Sequence, residues 1–233
     1  MPQPPQPPQL AETAALFADR TRAAFCLTLL DGRAWTAGEL ARHAGVRPST
    51  ASEQLSRLIE GGLLTEERQG RHRYVRLAGP EAADLIEALA SYATHASNTQ
   101  PPQNLRESVR LSAEARARTC YDHLAGRLGV ALSDAMIARG LVATEDGLAV
   151  TPDGRTWLAH TLGFTRPPGT RRPLVRSCLD WTERRPHLAG ALGAALCATA
   201  LERQWVRRVG SGRAVKVTPE GAEAFQELLG ATV

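Results

Sequence analysis

Two short phrases in the second half of this 233-residue chain carry the residue types best suited to chemistry. One is Arg118-Thr119-Cys120-Tyr121-Asp122-His123. The other is Arg176-Ser177-Cys178-Leu179-Asp180-Trp181, with His187 close behind. Thiolate sulfur and imidazole nitrogen suit zinc, copper and nickel. Cys120, His123, Cys178 and His187 are therefore candidate metal ligands, with Asp122 and Asp180 as further donors. The two thiols are equally candidates for a reversible disulfide, or for uptake of an electrophile if Arg118 or Arg176 lowers a thiol pKa. A small organic effector beside these residues is a third reading. A fourth is plain structure: cysteine often fills cores, aspartate is a preferred N-cap, and Asp180-Trp181-Thr182-Glu183 has capping-box spacing. The sequence leaves all four open. Cys26 and Cys197 lie on apolar helical faces and are expected in the core.

Catalytic signatures are missing. There is no H-E-x-x-H, P-loop, G-x-S-x-G or glycine-rich dinucleotide turn, and no paired catalytic carboxylates. Cys178 with His187 would supply a nucleophile and a base, but no third group is evident to orient them. The chain is expected not to be an enzyme.

The elements that must position the two phrases form an internal repeat. His123-Leu124-Ala125-Gly126-Arg127-Leu128-Gly129 matches His187-Leu188-Ala189-Gly190-Ala191-Leu192-Gly193. Each copy continues as a helix, then a hairpin-like segment ending in Val150-Thr151-Pro152-Asp153-Gly154 or Val217-Thr218-Pro219-Glu220-Gly221, then a closing helix. The expectation is two similar winged-helix-like units, residues 105–165 and 174–233, packed on one another around a groove that would suit a ligand. If a pseudo-twofold relates them, Cys120 and Cys178 approach each other near its axis.

A different chemistry is written into residues 36–77. Thr36 and Glu39 have capping-box spacing, Gly45 can close the helix they open, and Pro48 fits the first turn of another. Val46 is expected to be buried in the turn between them. The second helix has an inward stripe of Ala51, Leu55, Leu58 and Ile59. Its other face offers Ser49, Thr50, Ser52, Glu53, Gln54 and Arg57, with Arg47 just before it. Gly61-Gly62 ends it, and strands over 63–68 and 72–77 make a hairpin around Gln69-Gly70-Arg71. Arg68, Arg71, His72 and Arg73 cluster at its tip. Helix, turn, helix and basic hairpin in this order read as a winged helix-turn-helix able to enter a DNA major groove.

The run from Gly45 to Leu64 resembles the recognition-helix signature of the ArsR family of bacterial repressors, and the resemblance covers roughly residues 10–95. It implies a homodimeric winged-helix domain bound to a near-palindromic double-stranded operator and released by an effector. It also implies a dimer interface between a long helix over residues 10–30 and a helix over residues 80–96, where Leu85, Ile86, Leu89 and Tyr92 share a face. This chain has Glu53-Gln54 where the family often has a histidine pair. The segment from Ala37 to Ala44 lacks the cysteines of its metal-sensing members, so their usual metal site is absent.

The fold class expected is mainly α with small β-hairpins (α+β). Residues 1–9 read as a disordered Pro/Gln tail and 10–96 as the DNA-binding and dimerisation domain. Residues 97–104 read as a linker, and 105–233 as the effector-sensing part. A net charge of +4 is only mildly basic, but Lys216 is the sole lysine among the 28 basic residues. Arginine suits bidentate phosphate and guanine contacts, and a GC-rich genome favours the same bias. No apolar run approaches a membrane span, the start is no signal peptide, and four scattered cysteines are no disulfide scaffold. A cytoplasmic regulator follows, with no certain cofactor and a transition metal or reversible thiol modification as options. The alternatives are a winged-helix interaction or dimerisation module that binds no DNA, or an enzyme retaining the winged helix for dimerisation.

Overall fold

The computed structural model describes residues 7–70, 72–96, 104–145, 147–166, 169–170, 172–210 and 212–233, without the side chains of residues 72, 94–96 and 106. The elements are α1 (Pro7–Phe17), α2 (Arg20–Leu29), β1 (Trp35–Thr36), α3 (Ala37–Ala44), α4 (Pro48–Glu60), β2 (Leu64–Gln69), β3 (His72–Leu77) and α5 (Pro80–Ala96). There follow α6 (Leu105–Arg116), β4 (Arg118–Cys120), β5 (His123–Ala125), α7 (Gly126–Ala138), β6 (Val142–Ala143), β7 (Ala149–Val150) and α8 (Pro152–Leu162). The last are β8 (Arg176–Leu179), β9 (Pro186–Ala189), α9 (Gly190–Glu202), β10 (Val206–Arg208), β11 (Val215–Val217) and α10 (Pro219–Leu229).

Two compact units divide the chain, residues 1–89 and 90–233. The division falls inside α5, not in the proline-bearing stretch read as a linker, of which 97–103 lie outside the described residues. The same is true of residues 1–6 of the expected tail. Pro7, Pro8 and Gln9, also assigned to that tail, instead open α1, because proline costs no hydrogen bond in a first helical turn.

In the first unit the single long helix expected over residues 10–30 is two helices. Asp19, in extended conformation, accepts the Arg22 N–H and caps α2, so the chain turns where one continuous helix was expected. The capping box at Thr36 and Glu39 is formed in both directions, and Gly45 closes α3 with a left-handed φ of 67°. Leu40, Leu55, Leu58, Leu64 and Val75 fill the core with Phe25 and Leu29 from α2 and Leu30 just after it. Each such burial contributes about 1.5–3 kcal/mol before conformational entropy is charged against it. Val46 and Ile59, both expected inside, are only half-buried. The hairpin β2–β3 runs in register from Leu64 opposite Leu77 to Gln69 opposite His72. Strand β1 adds to β3 and makes a three-stranded sheet.

In the second unit, hairpin, helix, hairpin, helix occurs twice: β4–β5, α7, β6–β7, α8, and again β8–β9, α9, β10–β11, α10. The recurring Val-Thr-Pro-acid-Gly phrase has one structural use in both copies. Thr151 and Thr218 cap α8 and α10 by accepting the Gly154 and Gly221 N–H, each at 3.0 Å. A Cβ on Gly154 would lie 2.0 Å from the Leu141 carbonyl oxygen, and one on Gly221 2.0 Å from that of Trp205. The glycines that open α7 and α9, Gly126 and Gly190, hold φ of 73° and 81°. Their conservation between the copies therefore reflects a left-handed entry into each helix. Leu132, Met136, Leu158, Leu192, Leu196 and Phe225 belong to one hydrophobic core drawn from both copies.

Candidate functional site

Each leading hairpin carries one cysteine and one histidine as cross-strand partners: Cys120 faces His123 on β4–β5, and Cys178 faces His187 on β8–β9. The hairpins pack together so that the two sulfurs and two imidazoles converge, every ligand atom within 4.8 Å of the others. The histidines point Nε2 at Nε2, 3.1 Å apart. All four residues are buried, at 4%, 1%, 6% and 1% exposure in chain order. Helix packing seals the site from both sides. A Cβ on Gly193 would stand 3.0 Å from His123 Cβ, and one on Gly129 3.6 Å from His187 Cβ, so each copy's helix covers the other copy's histidine.

A carboxylate stands behind each imidazole. Asp122 Oδ1 lies 3.4 Å from His123 Nδ1, and Asp180 Oδ2 lies 3.2 Å from His187 Nδ1, an ion-pair distance not aligned as a hydrogen bond. Asp122 is anchored by Arg172 at 2.7 Å. Asp180 is anchored by Arg118 at 2.9 Å, and this pair is fully buried. Asp180 also accepts the Gly126 N–H at 2.6 Å, the Thr182 N–H at 2.9 Å, the Thr182 hydroxyl at 2.7 Å and the Glu183 N–H at 3.1 Å. Burial works to raise the Asp180 pKa, but His187, Arg118, Thr182 and the Gly126 N–H outweigh it and hold the carboxyl far below the usual range. Asp122 is likewise lowered, with burial overcome by His123 and Arg172. For His187, burial works downward, while Asp180 and Cys120 prevail and raise its pKa.

Several expectations change here. Asp122 and Asp180 do not cap helices. Asp180 caps the turn after β8, and α7 and α9 begin at Gly126 and Gly190 with no side-chain cap. Arg118 is turned to Asp180 and its guanidinium lies 4.8 Å over the Trp181 ring, so it is committed away from the thiols. Among the described residues a crevice of about 10 Å³ lies between the copies, lined by Leu124, Leu132, Met136, Leu188 and Leu196, with room for one water. Gly129 and Gly193 also line it. Asp180 does stand where a group orienting His187 would stand, 3.2 Å from its Nδ1, a residue the sequence did not single out for that role. Cys26 and Cys197 are core residues whose thiols burial pushes up to about 12. None of the four cysteines is in a disulfide.

In the first unit, α4 presents Ser49, Ser52, Glu53 and Arg57 to solvent, with Arg47 exposed at its start and Thr50 half-buried. Arg57 pairs with Glu53 at 2.9 Å. Gln54 is half-buried and accepts a bond from Arg22 Nη1, so it is turned partly inward. Arg22 also donates to the Leu16 and Ala15 carbonyls, a clamp between α1, α2 and α4 that no local pattern announces. On the hairpin Arg68 is exposed and Arg73 is paired with Glu66. Arg71 lies outside the described residues, and for His72 only the backbone is described, opposite Gln69. No helix among the described residues is long and apolar enough to cross a membrane.

A helix-turn-helix domain family matches residues 17–67. Over 225 residues the chain is 40% identical to the "Uncharacterized HTH-type transcriptional regulator YdfF" of Bacillus subtilis, covering 95% of this chain and 97% of the relative. The likeness therefore takes in the second unit as well as the first. The biofilm growth-associated repressor of Agrobacterium fabrum is 35% identical over 92 residues, 38% of this chain and 78% of that protein. The crystal structure of the transcriptional repressor BigR of Xylella fastidiosa is 28% identical, covering 36% of this chain and 86% of that one, with a TM-score of 0.34.

Proposed function

The chain belongs to the helix-turn-helix transcriptional regulators, and from that premise we propose that its first unit is an ArsR-type winged helix and that the protein is a homodimeric repressor released from DNA by an effector acting on its second unit. The observation that carries the reading is the outer face of α4. Its exposed side chains are small hydroxyls and charged groups, while Ala51, Leu55 and Leu58 are buried beneath them. That face can enter a major groove without unpacking the core. Ser49, Thr50 and Ser52 suit phosphate or thymine-methyl contacts, Arg47 and Arg57 suit phosphate or guanine, Glu53 suits cytosine, and Gln54 suits adenine once its oxygen leaves Arg22. Arg68, Arg71, His72 and Arg73 on the hairpin add backbone contacts that raise affinity without choosing sequence.

Dimerisation is supported by α5. Ile86 points inward, whereas Leu85, Leu89 and Tyr92, spaced to share one helical face, are exposed, as is Leu27 on α2. A twofold axis through that stripe would set two copies of α4 about 34 Å apart, one DNA turn, and so require a near-palindromic site. Repression is the sign carried in the name of the 35%-identical relative.

The test is fluorescence anisotropy on duplexes drawn from around the protein's own gene. Arg57→Ala is expected to weaken specific binding by about 1–3 kcal/mol while leaving random DNA nearly unchanged. Equal losses on specific and random duplexes would refute the assigned role. No affinity for any duplex at low salt would leave the chain an interaction module.

A further inference from the structure

We propose that Cys120, His123, Cys178 and His187 are the four ligands of a tetrahedral site for a thiophilic divalent cation of the zinc class. Two sulfurs and two imidazole nitrogens are a common closed zinc set. They arrive as two cross-strand pairs, one from each hairpin, which places two ligands on either side of a single point. The 3.1 Å between the facing Nε2 atoms is close to the roughly 3.3 Å that separates two nitrogens bound tetrahedrally at ~2.0 Å.

The surroundings point the same way. Each imidazole has its Nδ1 turned to a carboxylate, Asp122 or Asp180, and each carboxylate is held by an arginine, Arg172 or Arg118. Asp122 within hydrogen-bond reach of His123 Nδ1, and the Asp180 charge 3.2 Å from His187 Nδ1, favour the proton on Nδ1 and Nε2 as the donor to an ion, the usual outer shell of a metal-bound histidine. A disulfide would use the sulfurs alone and give the two histidines and their carboxylates no task. The donor set is complete and sealed, with no vacant position for a substrate, so the ion would clamp the two hairpins together. On binding, each thiol releases its proton to solvent, and two thiolates balance the dication.

The site deepens the effector reading above, on which its regulatory consequence rests; the uptake of the ion does not depend on that reading, and the experiment separates them. The full chain, reduced and dialysed against chelator, is titrated anaerobically with cobalt(II) and then with zinc(II). The expected result is one cobalt per chain, with the intense visible bands of a tetrahedral ion and thiolate-to-cobalt charge transfer, both abolished by an equivalent of zinc. Cys120→Ser/Cys178→Ser, checked for folding by circular dichroism, should lose the charge-transfer band. Asp122→Asn touches no ligand sulfur and should keep the tetrahedral spectrum while weakening zinc about 10–100-fold. As a check independent of the ligand variants' folding, the wild-type chain is also melted with and without zinc, and the melting temperature should rise with zinc. Failure of the reduced wild type to bind cobalt, a weak octahedral spectrum, or a charge-transfer band that survives in the folded double variant would each overturn the site. In a separate arm, DNA affinity is measured with and without zinc. Equal affinities would overturn the ion's role as effector and leave the site standing.

Discussion

Replacing Asp180 with asparagine should cost about 3–5 kcal/mol of unfolding free energy, the penalty for breaking a buried ion pair by removing one partner. Arg118 and Asp180 are both 0% exposed and 2.9 Å apart. In Asp180→Asn the guanidinium stays in the interior with its counter-charge gone. The new amide N–H₂ must also face either the Gly126 N–H or the Thr182 and Glu183 donors that the carboxylate accepts in the native protein. Adding about 1.5–3 kcal/mol for every charge-assisted bond would overshoot, because contacts within one network are not additive; the buried-pair value is the better guide. Asp134→Asn is the matched control. It removes the Arg185 pair at 2.9 Å, where the side chains are 58% and 49% exposed, and should cost no more than about 1 kcal/mol. The assay is urea unfolding of chelator-dialysed protein followed by tryptophan fluorescence, to which Trp181 beside Arg118 contributes. A lower midpoint at unchanged slope reports lost stability. Arg118→Met should cost less on the Asp180→Asn background than alone, since it then removes an orphaned charge. If Asp180→Asn loses no more than Asp134→Asn, the pair is wet and the sealed network described above is wrong.

Gly193→Ala would place a Cβ 2.5 Å from the Leu188 carbonyl oxygen and 3.0 Å from His123 Cβ. It should cost about 1–3 kcal/mol by overpacking, and an unchanged melting temperature would contradict the close approach. Thr36→Ala removes the cap on α3 and should cost about 1 kcal/mol. Glu39 is held below its ordinary pKa by the Thr36 hydroxyl and N–H, so its share of stability is present above the unfolded carboxyl pKa and is lost as pH falls through the lower folded value. Wild-type and Thr36→Ala stability curves should therefore converge in acid, and curves that stay parallel there would show that the box does not couple to Glu39. Arg68→Ala should weaken all DNA sequences alike and reduce the salt slope by about 1, whereas a sequence-selective loss would move Arg68 from backbone to base contact.

Much of the first unit was legible from local chemistry. Thr36, Glu39, Gly45 and Pro48 act on their own immediate backbone, and the period of Ala51, Leu55 and Leu58 reports a helix face directly. Where that reading failed, a distant partner or a single capping side chain decided. Asp19 splits what reads as one helix, and β1 exists only because Trp35 and Thr36 find Val75 and Tyr74 on β3. Arg22 turns Gln54 partly inward from a face that spacing alone assigns to solvent.

For the second unit, self-comparison of the sequence determined the repeat, the residues Cys120, His123, Cys178 and His187 as a set, and the glycines and threonines that recur around them. Those are properties of residue type and order. Tertiary structure alone decided that the two phrases are hairpins facing one another, that Asp122 and Asp180 back the imidazoles instead of capping helices, and that Arg118 is buried against Asp180 from the other copy. The physical reason is separation along the chain. His123 and His187 meet across 64 residues, through packing of each copy's helix on the other's hairpin, and no period or cap signal reports a contact whose partner lies that far away.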